Sequence, residues 1–245
     1  MILSHIQIEE IAAAVTKDFN EFFFGRRAAF ETHYAQATPI DQLAGDYLGL
    51  RVSFAHLSDD GSICGLTAYT DTEYAANCQG VTRLIPLKAN EVLLDSSFME
   101  PGQVRAQCGK RRFTLAHECA HQILFQMESD EARQTRRETY SPRTAYSLRD
   151  LKTREDWNEW QANALGAALL MPQREIDRAM DYLAQSRKLV NYGGWFNYVD
   201  RAVLSQLCQT LGVSKSAAVI RLRHMSVKII VTTGEKYGIL AAWKS

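Results

Sequence analysis

RRFTLAHECAHQILF, residues 111–125, is the stretch around which the chain is organised. It contains His117-Glu118-Cys119-Ala120-His121, an H-E-x-x-H pattern. On an α-helix, residues four apart sit about one turn apart on the same face, so both imidazoles project together. Two imidazoles at that spacing can grip one Zn²⁺ at about 2.0–2.1 Å each. Glu118 lies about 100° further round the helix, where it is placed to act on water as a general base rather than to ligate. Phe113, Leu115, Ala116, Ala120, Ile123 and Leu124 give the helix a broad apolar surface, so it is predicted to be buried. Cys119, three residues past Ala116, faces away from the metal side and reads as packing.

A site of this type needs a third protein donor and one open position. Residues 157–171, WNEWQANALGAALLM, form the next helical segment, and Pro172 stops it. Ala162, Leu165, Ala168 and Leu169 suit close packing against the first helix, while Glu159 and Asn163 share another face. A carboxylate entering from this second helix meets the need. Glu159 is the candidate, with Glu155 one turn earlier as the alternative.

Composition narrows the function classes. Of 245 residues, 46% are apolar and 23% charged, as in soluble globular proteins, and the formal net charge is zero. A protein-wide electrostatic grip on nucleic acid or anionic lipid is therefore not expected. The charge is uneven, however. Residues 200–245 carry Lys or Arg at 201, 215, 221, 223, 228, 236 and 244 against Asp200 and Glu235, a local +5 that leaves −5 on the rest. The opening MILSHIQIEEIAAAV has no basic n-region and is broken by Glu9 and Glu10, so it does not read as a signal peptide. The longest strongly apolar run, Ala164 to Met171, is too short to span a bilayer. Five cysteines without a C-x-x-C pair suggest reduced thiols and a cytoplasmic location.

Other elements follow from periodicity. Residues 6–24 read as an amphipathic helix, and Pro39 to Gly49 as a short helix with Pro in its first turn. Leu50–His56, Cys64–Asp71 and Thr82–Leu94 read as strands, the last with a turn near Lys88-Ala89-Asn90, so a small sheet precedes the motif helix. His5, His33 and His56 lack partner spacing and read as ordinary histidines. From Glu128 to Asp156 the chain holds seven acidic and seven basic residues and few aliphatics. This stretch is either a solvated linker or a substrate-facing loop, since it joins the two segments that carry the site.

With these residues in view, RRFTLAHECAH followed by EWQANALGAALLMP (Glu159 to Pro172) resembles the ImmA/IrrE metallopeptidase family. Its pattern joins an R-F-T-x-A-H-E-x-x-H helix to a later E-x-x-A-N helix ending in L-L-M-P. The resemblance runs from about Asp41 to His224 and is strongest in those two blocks. It implies an α+β zincin-like domain, mainly helical, with a small sheet beside the motif helix. It also implies His117, His121 and Glu159 as metal ligands, Glu118 as base and Asn163 as a residue orienting a ligand histidine. One Zn²⁺ per chain is expected, with Mn²⁺ as the alternative. The substrate the resemblance implies is a helix-turn-helix repressor encoded nearby. Two positions depart from the pattern: Cys119 stands where Leu or Ile is common, and Gly166 where Phe is common.

An oxyanion donor is also required, and Tyr140, Tyr146 and His224 are the candidates. Residues 201–224, RAVLSQLCQTLGVSKSAAVIRLRH, read as helix, turn and helix, with Ser214 capping the second. A DNA-reading version would use Lys215, Ser216, Arg221 and Arg223, which keeps open a DNA-binding regulator or toxin–antitoxin component as the alternative function. In the competing version the helix pair simply completes the peptidase domain. VKIIVTTGEKYGILAAW reads as a terminal hairpin around Thr233–Lys236. The expected organisation is an N-terminal helical segment (1–40), a metallopeptidase core (41–200) and a C-terminal segment (201–245) belonging to the same domain.

Overall fold

A computed structural model describes residues 2–31, 34–134, 140–142, 153–225 and 228–232. Helix α1, His5–Glu31, is interrupted at Gly25, whose φ of 73° no helix accommodates. Its inward face, Ile8, Ala12 and Phe19, is almost fully buried. A one-turn α2 (Ile40–Gln42) runs into a π-helical turn (Leu43–Tyr47), where the sequence predicts one short helix. The turn ends at Gly49, φ 68°, which releases the chain into the sheet.

Strand β1 (Arg51–Ala55) pairs in parallel with β5 (Glu91–Asp95), as the period-two pattern predicts for the first of them. Strand β2 (Gly65–Ala68) lies antiparallel to β5. Between them, β3 (Thr72–Cys78) and β4 (Val81–Leu87) form a separate hairpin, closed by Gln79 and Gly80 at φ 53° and 77°. The sequence reading passes over β3, because Ala75, Ala76 and Asn77 depress its strand propensity. Only its inward Tyr74 and Ala76 are buried.

Helix α3, Val104–Gln126, carries the motif and is buried without interruption from Thr114 to Ile123. A short α4 (Asp130–Gln134) follows, then a three-residue strand, β6 (Tyr140–Pro142), which adds to β2 and completes a sheet ordered β1-β5-β2-β6. Helix α5, Arg154–Leu170, begins three residues earlier than periodicity suggests. A reciprocal cap sets its start: the Thr153 hydroxyl accepts from the Asp156 amide at 3.1 Å, and the Asp156 carboxylate accepts from the Thr153 amide at 2.7 Å.

Helix α6, Gln173–Ala184, buries Ile176, Ala179, Met180 and Ala184 along one stripe. Strand β7 (Leu189–Tyr192) pairs in parallel with β8 (Ile229–Thr232). The first strand of the terminal hairpin read from the sequence is β8, and its second strand lies outside the described residues. Helices α7 (Tyr198–Leu211) and α8 (Lys215–His224) are joined at Gly212, φ 64°, and the Ser214 hydroxyl caps α8 by accepting from Ala217.

One apolar cluster runs from Phe19 through Leu94, Leu115, Leu170 and Leu207 to Leu222 and Ile229. The α7–α8 turn is tied directly to the motif helix. Arg112 donates to the Gly212 carbonyl at 3.0 Å and to the Thr38 carbonyl at 2.7 Å. A Cβ at Gly109 would stand 3.0 Å from the Ser214 amide nitrogen. The last carbonyls of α5 are satisfied from both sides, by the Thr38 hydroxyl on Leu169 and by Arg221 Nε on Met171. Arg221 also forms a bidentate pair with Glu9.

Arg221 is 4% exposed, so its partners are protein groups and it is not a surface for a duplex. Arg221→Ala leaves Glu9 and the Met171 carbonyl short of a charged donor and is expected to cost about 2–3 kcal/mol. Arg223→Ala, at an exposed position of the same helix, is expected to stay within about 0.5 kcal/mol of wild type. Paired urea-unfolding curves measure both, and equal effects would contradict this assignment.

Candidate metal centre

His117 and His121 leave one face of α3 four residues apart, and their Nε2 atoms stand 3.0 Å from each other. Glu159 enters from α5, with one carboxylate oxygen 3.3 Å from His117 Nε2 and the other 3.0 Å from His121 Nε2. Three donors on a tetrahedron with bonds of about 2.0–2.1 Å lie about 3.3–3.4 Å apart, so the set matches a small divalent cation. His117, His121 and Glu159 are a group able to hold a metal ion, their ligating atoms all lying within 4.8 Å of one another. His117 is fully buried, His121 is 3% exposed, and the Glu159 side chain keeps 13% exposure. Burial works to raise the Glu159 pKa, but hydrogen bonds and charge from the two histidines outweigh it and hold the carboxyl below the usual carboxylate range.

Close approach of α5 to α3 brings the three together. Gly166 makes it feasible: a Cβ there would meet the His117 amide nitrogen at 3.0 Å and the Ala116 carbonyl group at 3.1 Å. Gly166 is thus a packing requirement of this chain. Upstream, Arg111 holds α3 to α2 by donating both terminal nitrogens to Asp41 at 2.8–2.9 Å.

Glu118 is fully buried and outside the ligand set, on the side of α3 facing β2. Gly65 sits over it, and a Cβ there would fall 3.0 Å from Glu118 Oε1 and 2.5 Å from Thr114 Cγ2. One turn on, the buried Gln122 amide donates to the Thr67 hydroxyl at 2.7 Å and to the Ala68 carbonyl at 2.9 Å. Sequence reasoning missed both contacts. Gly65 was visible only as a strand glycine, which marks a close approach without saying to what. Cys119 packs in the core, and burial, then Glu118, raise its thiol pKa well above the usual value.

The remaining candidates are distributed as follows. Asn163 is half-buried one turn beyond Glu159, and no hydrogen bond joins it to either imidazole among the described residues. His224 stacks on His5 at 4.9 Å, and His5 in turn packs edge-on to Trp160. The Glu155, Tyr140 and Tyr146 side chains lie outside the described residues. Lys215 is exposed and lies 5.8 Å from the Phe196 ring, and Arg223 is exposed.

A helix-borne H-E-x-x-H beside a small mixed sheet, completed by a carboxylate from a second packed helix, defines a zincin-like metallopeptidase. Residues 105–223 match the Peptidase_M78 family model, described as the IrrE N-terminal-like domain. Residues 105–223 therefore form a domain of the ImmA/IrrE family, which supports a metallopeptidase, a hydrolase of peptide bonds. No curated protein matches it. Among the described residues no helix is long and apolar enough to cross a membrane.

Glu159→Ala removes one donor of three and is expected to lower metal content at equal metal supply, read by elemental analysis. Full retention would point to another acid. Metal retention is expected to fall as the pH is lowered, because the donors bind the ion only in their deprotonated forms, and elemental analysis after dialysis over a pH series reads it. Gly65→Ala is expected to cut turnover about tenfold or more with metal retained, because the methyl group crowds Glu118. Adding Thr114→Ser, which deletes the Cγ2 contact, should restore thermal stability but not turnover.

Proposed function

We propose that the protein is a cytoplasmic, zinc-dependent endopeptidase whose substrate is a helix-turn-helix repressor encoded nearby. The observation that carries this reading is the convergence of His117 Nε2, His121 Nε2 and the Glu159 carboxylate at 3.0–3.3 Å beside the buried, non-ligating Glu118. Two nitrogens and a carboxylate suit zinc better than harder cations, which prefer all-oxygen shells.

His117, His121 and Glu159 would hold the ion, which when bound supplies Lewis acidity that activates water and polarises a carbonyl. Glu118 does the proton work. Its carboxylate removes a proton from the attacking water as the carbon–oxygen bond forms, then delivers it to the amide nitrogen as the carbon–nitrogen bond breaks. Gly65 leaves the carboxylate room, and the Gln122 clamp on Thr67 and Ala68 fixes β2 relative to it.

The DNA-binding alternative has less support. Of its proposed contacts Arg221 is buried, and the start of α8 is backed by Gly109 of α3. Salt-dependent binding of the full chain to duplex DNA would restore it.

The test is incubation of zinc-loaded protein with the neighbouring repressor. Wild type is expected to cut it at one or a few bonds. Glu118→Gln should keep the metal and lose about 10²–10⁴-fold in rate. Cleavage at the wild-type rate by that variant would remove Glu118 from the mechanism, and an intact repressor would remove the substrate.

A further inference from the structure

Glu159 lies near the start of α5, about two turns before the Gly166 contact that seats this helix on α3. Side chains reach about 5–6 Å from a helix axis, so a roll of about 20° displaces their tips by about 2 Å. That is enough to take a carboxylate out of bonding distance of an ion held by the two imidazoles. Something must therefore fix the roll of α5 near Glu159.

The groups that do so come from residues 3–5. The Leu3 amide donates to Gln161 Oε1 at 2.7 Å, and both residues are buried. Gln161 follows Glu159 by two residues, so it leaves the helix about 200° away, nearly opposite the carboxylate. The Leu3 side chain shares an apolar cluster with Ala120 and Ile123 of α3 and Ala162 of α5. The His5 ring packs edge-on to Trp160, the residue after Glu159, and lies 4.9 Å from the ring of His224 on α8. This segment is itself stiffened where it enters α1. The Ser4 amide donates to Gln7 Oε1 at 2.9 Å, and the Ser4 hydroxyl accepts from the Gln7 amide at 3.3 Å.

Apolar contacts tolerate sliding, whereas a hydrogen bond prefers an angle above about 150° and so resists rotation. We propose that Leu3–His5 is a positioning clasp, in which the Leu3 amide on Gln161 sets the roll of α5 and so aims Glu159 at the imidazoles. Gln161 is a positioning residue and is not one of the three donors. The proposal rests on the metal-site reading above. It adds that the affinity of that site depends on a backbone amide 156 positions before the ligand it serves.

The test titrates Co²⁺, whose visible absorption reports its ligand geometry, into the metal-free full chain at a temperature where every variant is folded. Gln161→Met removes the acceptor at nearly constant volume, and Leu3→Pro removes the donor. Each is expected to weaken Co²⁺ binding about tenfold and to change the intensity of the visible bands. Combining them should weaken binding no further, because both break one interaction. Leu3→Ala keeps the amide and loses packing, so it is expected to lower the melting temperature while leaving Co²⁺ affinity within about twofold of wild type. If Gln161→Met does not fold, Leu3→Pro carries the comparison with Leu3→Ala. Affinity and spectrum unchanged in the folded Gln161→Met or Leu3→Pro protein overturn the clasp. Affinity losses that simply follow the melting temperature across all the variants, Leu3→Ala included, overturn it as well. Wild type that takes up no Co²⁺ removes the metal site itself, whereas equal uptake by wild type and variants removes only the clasp.

Discussion

Two imidazole nitrogens and a carboxylate held 3.0–3.3 Å apart in a nearly dry site are the constraint on which the rest of the structure depends. Like lone pairs at that distance repel unless something positive lies among them, so the arrangement persists only if packing imposes it and a proton or cation compensates it. The packing is identifiable. Helix α5 meets α3 across Ala162, Leu165, Ala168 and Leu169, and Gly166 lets its backbone reach the Ala116–His117 peptide. The carbonyls at the end of α5 are closed by Thr38 and Arg221, and the start of α3 is pinned by Arg111 and Arg112. Residues far apart in the chain thus serve one positioning task.

The C-terminal helix pair acquires its meaning from the same contacts. Arg221 and the α7–α8 turn face inward, toward α1, α5 and α3, so the basic character of residues 200–245 is partly consumed in building the domain. A sequence count of charges cannot separate a guanidinium that caps a helix from one that waits for phosphate. Only the position of Glu9, 212 residues earlier, decides it.

Much of the site was legible because its signals are local. The four-residue spacing of His117 and His121, and the apolar stripe around them, place both imidazoles on one buried face without tertiary information. Glu159 was reachable because a second helix of compatible surface follows. What escaped depends on long-range placement. The Gln122 amide on Thr67, the empty space at Gly65 and the pairing of Tyr140–Pro142 with β2 join residues 53 to 76 positions apart and leave no periodic trace. Strand β3 escaped for the opposite reason, since its alanines and asparagine weaken a pattern that only the finished hairpin supports. Helix α6 and strand β7 carry a clear apolar stripe and a short apolar run, but no chemistry that draws attention to them.

The claim that organises all of this is that one cation is bound by His117, His121 and Glu159, with Glu118 beside it and not bonded to it. A crystal structure of zinc-loaded protein, with anomalous scattering collected on both sides of the zinc edge, addresses it most directly. The account predicts a single strong zinc peak at about 2.0–2.2 Å from the two Nε2 atoms and a Glu159 oxygen, with a non-protein ligand in the fourth position. A peak elsewhere, or one whose ligands include Glu118 in place of Glu159, would contradict it.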